Sequence, residues 1–145
     1  MRRRIFIDSS VLIEYMKGNE RADKIMRKME SERASTCINA IVTSEIIYIY
    51  IRDRANRSTE ELRRSPDIVK RVDLSALLQF IESVNVLPET KEVVLQAAEY
   101  IQKHGLLPND ALILATAKEF DCALATLDEI LRNTAQVEGI PTITD

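Results

Sequence analysis

The chain has no tryptophan, one histidine, two cysteines, three glycines and four prolines in 145 residues. Each scarcity closes a route. His104 has no second histidine with which to share acid–base work or an imidazole metal site. It precedes Gly105 at the apparent end of a helix, where a cation meets the last carbonyls, and reads as structural. Cys37 and Cys122 stand far apart, form no Cys-x-x-Cys pair and read as two buried, reduced thiols. So few glycines and prolines exclude a glycine-rich phosphate loop and any low-complexity tract. No apolar run approaches the roughly 20 residues that span a bilayer. The start, Met1-Arg2-Arg3-Arg4, is basic, but the apolar stretch after it breaks at Asp8 and does not read as a signal peptide. A soluble, cytoplasmic protein with no membrane partner is the expectation.

What is present is an apolar fraction of 46%, enough to build the core of a single domain over residues 1–145. The net charge of -3 argues weakly against nucleic acid, but the charge is unevenly spread. From Arg52 to Arg71, seven basic residues (Arg52, Arg54, Arg57, Arg63, Arg64, Lys70, Arg71) face four acidic ones (Asp53, Glu60, Glu61, Asp67). This stretch reads either as a solvated face or as a phosphate-binding rim.

Along the chain, strands alternate with helices. Arg4 to Ile7 reads as a strand, followed by a helix capped by Ser9 or Ser10 and ended by Gly18. A charged amphipathic helix from Glu20 to about Arg33 leads to a strand from Ala34 to Ile38. Asn39 opens a long helix to about Arg54, although its run Ile46-Ile47-Tyr48-Ile49-Tyr50-Ile51 alone would read as a strand. Ala55 to Asp73, broken by Pro66, reads as a loop or a loose helical excursion. Then come a helix (Leu74–Ser83), a strand (Val84–Leu87), an amphipathic helix (Thr90–Lys103) and a buried helix (Asp110–Phe120). Ala123–Thr126 and Pro141–Thr144 read as the last two strands. The alternation predicts an α/β fold, with a central parallel sheet of about five strands and helices on both faces.

Four acids sit where turn signals meet apolar runs: Asp8, Glu45, Asp110 and Asp128. In a parallel sheet, sites form outside the carboxyl ends of the strands. Asp8 and Asp128 follow strands, Asp110 opens a helix and Glu45 lies in the first turns of one, so all four can face one crevice. Singly, each has a plain explanation as a helix cap, a turn or a partnered buried acid. Together they make an oxygen cage for a hard cation, Mg²⁺ or Mn²⁺, of the kind that hydrolyses phosphodiesters without histidine. Such a mechanism needs no side chain with an unusual pKa.

Phe6-Ile7-Asp8-Ser9-Ser10-Val11-Leu12-Ile13, Ser44-Glu45-Ile46, Pro108-Asn109-Asp110-Ala111-Leu112-Ile113-Leu114-Ala115-Thr116-Ala117 and Leu124-Ala125-Thr126-Leu127-Asp128 resemble the four acidic motifs of PIN-domain nucleases. Size and spacing resemble the VapC-type toxins of toxin–antitoxin pairs. The resemblance implies a PIN-like three-layer fold and a metal-dependent endoribonuclease. Asp8, Glu45, Asp110 and Asp128 would hold one or two Mg²⁺ or Mn²⁺ ions. Asp8 would meet the metal most directly, Asp110 and Asp128 would complete the shell, and Glu45 would orient water or bind metal through it. Ser9, Asn109 and Thr126 would orient these carboxylates by hydrogen bonding. An RNA substrate, a protein antitoxin and a homodimer are implied as partners. Many members carry a further acid after the fourth motif, whereas here Glu129-Ile130-Leu131 follow Asp128. A housekeeping RNA-processing nuclease and a non-cleaving RNA- or partner-binding module are the alternatives. A receiver domain would need an acidic pair at the first strand and a late lysine, and a haloacid-dehalogenase-type phosphatase would need Asp-x-Asp where position 10 is serine.

Overall fold

The computed structural model describes residues 2–144. Its elements run in the order β1 (Arg4–Ile7), α1 (Ser9–Met16), α2 (Glu20–Ser31), β2 (Ser35–Asn39), α3 (Ala40–Ala55), α4 (Thr59–Arg64), α5 (Pro66–Lys70), α6 (Ser75–Ser83), β3 (Asn85–Leu87), α7 (Lys91–His104), α8 (Pro108–Glu119), β4 (Ala123–Ala125), α9 (Glu129–Val137) and β5 (Thr142–Ile143). The strands form one parallel sheet in the order β3-β2-β1-β4-β5.

That order sets the layers. The crossovers from β1 to β2 and from β2 to β3 step one way along the sheet, and those from β3 to β4 and from β4 to β5 step back the other way. Right-handed crossovers therefore place the earlier helices on one face and the later ones on the other. The direction reverses between β1 and β4, which pair as Ile5 with Ala123, Phe6 with Leu124 and Ile7 with Ala125. The crevice expected of such a sheet opens at the carboxyl ends of these two central strands. Ile5, Phe6, Ile7, Ile38 and Leu124 have no exposed surface, as strands covered on both faces require.

Several boundaries have local causes. The Ile46–Ile51 run is helical within α3, because Asn39 caps it and only one stripe, Val42 and Ile46, enters the core. Asn56 ends α3 in the left-handed conformation. The segment read as a loop or loose excursion contains α4, capped by Ser58, and α5, with Pro66 in its first turn. α8 begins two residues earlier than the sequence predicts, because Pro108 suits the first helical position. α9 is a helix that sequence analysis does not assign, and it buries Leu131 and Ala135. Cys37 and Cys122 are free and buried. His104 closes α7 before Gly105, and its Nε2 lies 3.0 Å from Glu138 Oε1. No helix among the described residues is long and apolar enough to cross a membrane.

Candidate active site

Asp8 follows β1 at the reversal point and is 5% exposed. Its backbone N–H donates to the Ala125 carbonyl at 2.9 Å, which extends the β1–β4 pairing by one step. Asp8 occupies the N-cap position of α1, yet its side chain makes no cap bond. Its Oδ2 instead accepts two hydroxyls, from Ser10 Oγ at 2.7 Å and from Thr126 Oγ1 at 2.8 Å. Among the described residues no donor reaches Oδ1.

Thr126, fully buried, ties the two central strand ends together. Its hydroxyl donates to Asp8 and accepts the Asp128 backbone N–H at 3.0 Å. Asp128 caps α9 through Oδ1, which accepts the Leu131 N–H at 3.1 Å. Taken singly the sequence reads Asp128 as the start of a turn; one of its carboxylate oxygens in fact caps α9, which fixes the side chain at the crevice. Arg132, one turn further along α9, donates from Nη2 to the Thr126 carbonyl at 3.0 Å, and its buried Nε has no partner.

Glu45 stands in the second turn of α3, and its Oε1 accepts the Ser9 hydroxyl at 3.2 Å. Asp110 lies in the first turn of α8, where the helix dipole favours an acid. A buried bond joins the N-terminus of α3 to the third turn of α8. Asn39 Oδ1 accepts the Val42 N–H at 3.0 Å, while its Nδ2 donates to Thr116 Oγ1 on α8 at 3.1 Å.

Two of the four acids, Glu45 and Asp110, respond to their acidic neighbours. Burial raises the Glu45 pKa above its ordinary value, the Ser9 hydroxyl opposes this, and the Asp8 and Asp110 carboxylates add to the rise. Burial likewise raises Asp110, with Asp128 and Asp8 adding to it. Both shifts arise because burial and like charge penalise the ionised form. Among the described residues, no three acidic, histidine or cysteine side chains close on one point as a finished metal site.

The supporting residues divide. Ser9 and Thr126 bond to Glu45 and Asp8. Asn109 does not: it is exposed in the first turn of α8 and bonds to none of the four acids, because the early start at Pro108 turns it outward. Glu129 is exposed in the first turn of α9. Sequence reasoning missed Ser10, Asn39 and Arg132 as site supports. Ser10 was visible in the first motif, and Arg132 stands four residues after Asp128, but no residue pattern marked Thr116 as the partner of Asn39.

The PIN domain family pattern matches residues 5–137. Ribonuclease VapC2 of Methanocaldococcus jannaschii is 36% identical over 115 residues, which is 79% of this chain and 77% of that protein. Ribonuclease VapC6 of the same organism is 30% identical over 138 residues, 86% of this chain and 88% of that one. Among solved structures, VapBC-1 from nontypeable Haemophilus influenzae matches with a TM-score of 0.66 at 17% identity, covering 97% of each chain. The DNA-bound VapBC from Salmonella typhimurium matches with a TM-score of 0.65 at 21% identity, over 99% of this chain and 98% of that one. At these identities the structural likeness speaks for the fold, and it agrees with the family pattern and the two sequence relatives: the chain belongs to the PIN domain family.

Proposed function

We propose that the protein is a metal-dependent endoribonuclease, the toxin of a toxin–antitoxin pair, that hydrolyses RNA phosphodiester bonds at the Asp8, Glu45, Asp110 and Asp128 cluster. One observation carries this reading. Acids from four separate chain segments gather at the carboxyl edge of the sheet, and two of them hold their protons more tightly because of burial and the other acids. Such a cluster is stabilised by positive charge. The names of the two sequence relatives, both ribonucleases, support the substrate.

The donor chemistry fits a hard divalent cation. All four groups offer oxygen, and Asp8 presents an Oδ1 that no donor among the described residues reaches. When bound, Mg²⁺ or Mn²⁺ would make hydroxide available near neutral pH and neutralise charge on the phosphate. The chain's own residues do the positioning. Ser10 and Thr126 fix one oxygen of Asp8, the α9 cap fixes one oxygen of Asp128, and Ser9 turns Glu45 toward the crevice. Asp110, which feels both Asp8 and Asp128, completes the set, and Glu45 would orient a water or bind the metal through it.

A protein antitoxin as partner is supported by the likeness to VapBC complexes and by an apolar groove of about 380 Å³ between α1, α3 and α6. Leu12, Ile46, Tyr50, Leu77 and Phe80 line it, a surface suited to the apolar face of a helix. The homodimer belongs to the same proposal.

The test is incubation of the purified protein and its Asp8→Asn variant with a mixed RNA pool in Mg²⁺, in Mn²⁺ and in EDTA. Metal-dependent cleavage that falls at least 100-fold in Asp8→Asn is expected, in keeping with a group that binds the metal directly (about 100-fold being the upper range for groups one shell further out). Equal, metal-independent cleavage by both proteins would sink the assignment.

A further inference from the structure

A second site stands out beyond the acidic crevice. A pocket of about 550 Å³ lies between the C-terminal half of α3, α5 and the start of α6, and Arg54, Arg57 and Arg71 line it. Asp73 is its one acidic lining residue, and Oδ1 of that carboxylate is held by the Ser75 hydroxyl at 2.6 Å and the Ser75 N–H at 2.9 Å. Other basic residues nearby are matched on their own helices: Arg64 with Glu60 at 3.3 Å and Lys70 with Asp67 at 3.6 Å. Arg57 pairs with Glu61 at 3.6 Å and donates from Nη1 to the Asn56 carbonyl at 3.4 Å. Among the described residues no carboxylate lies within 4.0 Å of the Arg54 or Arg71 guanidinium, although the Arg54 charge helps to lower the Asp73 pKa; Arg54 lies over the Tyr50 ring, 4.9 Å from its centre.

The three arginines are exposed around an open cationic depression. Stacking on Tyr50 limits the freedom of Arg54, so less entropy is lost when it grips an anion. Guanidinium groups match phosphate oxygens in bidentate geometry. The pocket is also tied to the crevice by one rigid element. Arg54 follows Glu45 by nine residues on α3, which is about 14 Å along the axis. That separation suits one strand spanning both sites.

We propose that the Arg54, Arg57 and Arg71 pocket is a phosphate-binding site that holds the backbone of a single-stranded RNA away from the point of cleavage. The RNA as substrate rests on the ribonuclease reading; the pocket's preference for phosphate rests on its own residues. The contact is sequence-independent, so it adds affinity and register without reading bases.

The experiment is fluorescence anisotropy with a labelled single-stranded oligoribonucleotide in EDTA, across a range of salt concentrations, using the full chain. Arg54→Gln/Arg71→Gln is compared with the wild type, with Asp8→Asn and with Arg27→Gln, a change to a paired arginine on α2. Each backbone contact contributes about 0.7 to the slope of log affinity against log salt on single strands. The double variant should therefore lose about 1.4 from the slope and bind more weakly. Arg27→Gln should match the wild type, and circular dichroism checks that each variant is folded. An unchanged slope in a folded double variant would overturn the proposal, as would wild-type protein that fails to bind RNA at low salt. Inorganic phosphate is titrated in parallel; a double variant that loses phosphate but keeps the RNA slope would mean a small-anion site and would also overturn it. Because the assay contains no metal, failure of the cleavage reading appears separately, in the Asp8→Asn cleavage assay.

Discussion

At the scale of single residues, the site depends on which oxygen of each acid is already occupied. Asp8 uses one oxygen for Ser10 and Thr126 and keeps the other open. Thr126→Val keeps the shape but deletes both the donor to Asp8 and the acceptor for the Asp128 N–H. Cleavage should fall about 10- to 100-fold, the usual effect of removing a group that orients a metal ligand, while Thr126→Ser should retain most of it. Single-turnover rates beside a melting curve check this. The places of Asp8 and Thr126 after apolar strands and of Asp110 in the first turn of a helix were legible in the sequence, whereas Glu45, in the second turn of α3, was marked only by the apolar run that follows it. Asn109, exposed in the first turn of α8, bonds to none of the four acids, and the sequence did not mark the helix start at Pro108 that sets its direction. Ser9 and Ser10 are adjacent and alike, so which hydroxyl serves Asp8 and which serves Glu45 depends on the turn into α1.

At the scale of elements, α3 and α8 carry Glu45 and Asp110, and Asn39 holds them together. It caps α3 and donates across to Thr116, with no exposed surface. Asn39→Ala should destabilise the fold by about 1–2 kcal/mol, combining a lost cap with a lost buried hydrogen bond. The midpoint of a urea transition reads that loss, and an unchanged midpoint would remove Asn39 from this role. The sequence made α3 ambiguous, because β-branched residues fill its middle; the Asn39 cap and its single buried stripe decide for helix. α9 went unassigned because Asn133 and Thr134 are weak helix formers and Asp128 also signals a turn. Burial of Leu131 and Ala135 against the sheet stabilises it, and that packing has no local signature.

At the scale of the whole molecule, the reversal of strand order places β1 and β4 side by side and so brings Asp8 within one bond of Thr126, 118 residues away in sequence. The alternating elements made the parallel sheet legible. The strand order was not, since nothing local says that β4 pairs beside β1. The same architecture buries acids that would be better solvated apart, and this makes stability depend on pH. The Glu45 pKa is raised in the folded state above its ordinary 4.5. Below 4.5 the group is protonated in both states and imposes no penalty; as pH rises from there through the folded-state value, stability is lost. Asp110 acts in the same sense from its ordinary 3.8 upward. A cation bound among these acids reverses the penalty by mass action.

Thermal unfolding at pH 7.5, in EDTA and in Mn²⁺, for the wild type and Glu45→Gln, tests this cluster most directly. Glutamine keeps an oxygen for the Ser9 hydroxyl and removes the charge. In EDTA the variant should melt above the wild type, by about 2 °C for a chain of this length. That gap should close toward pH 4.5. In Mn²⁺ the wild type should gain the more and overtake the variant. A variant that melts below the wild type in EDTA, or Mn²⁺ shifts that are equal in the two proteins, would contradict a carboxylate cluster built to hold a divalent cation.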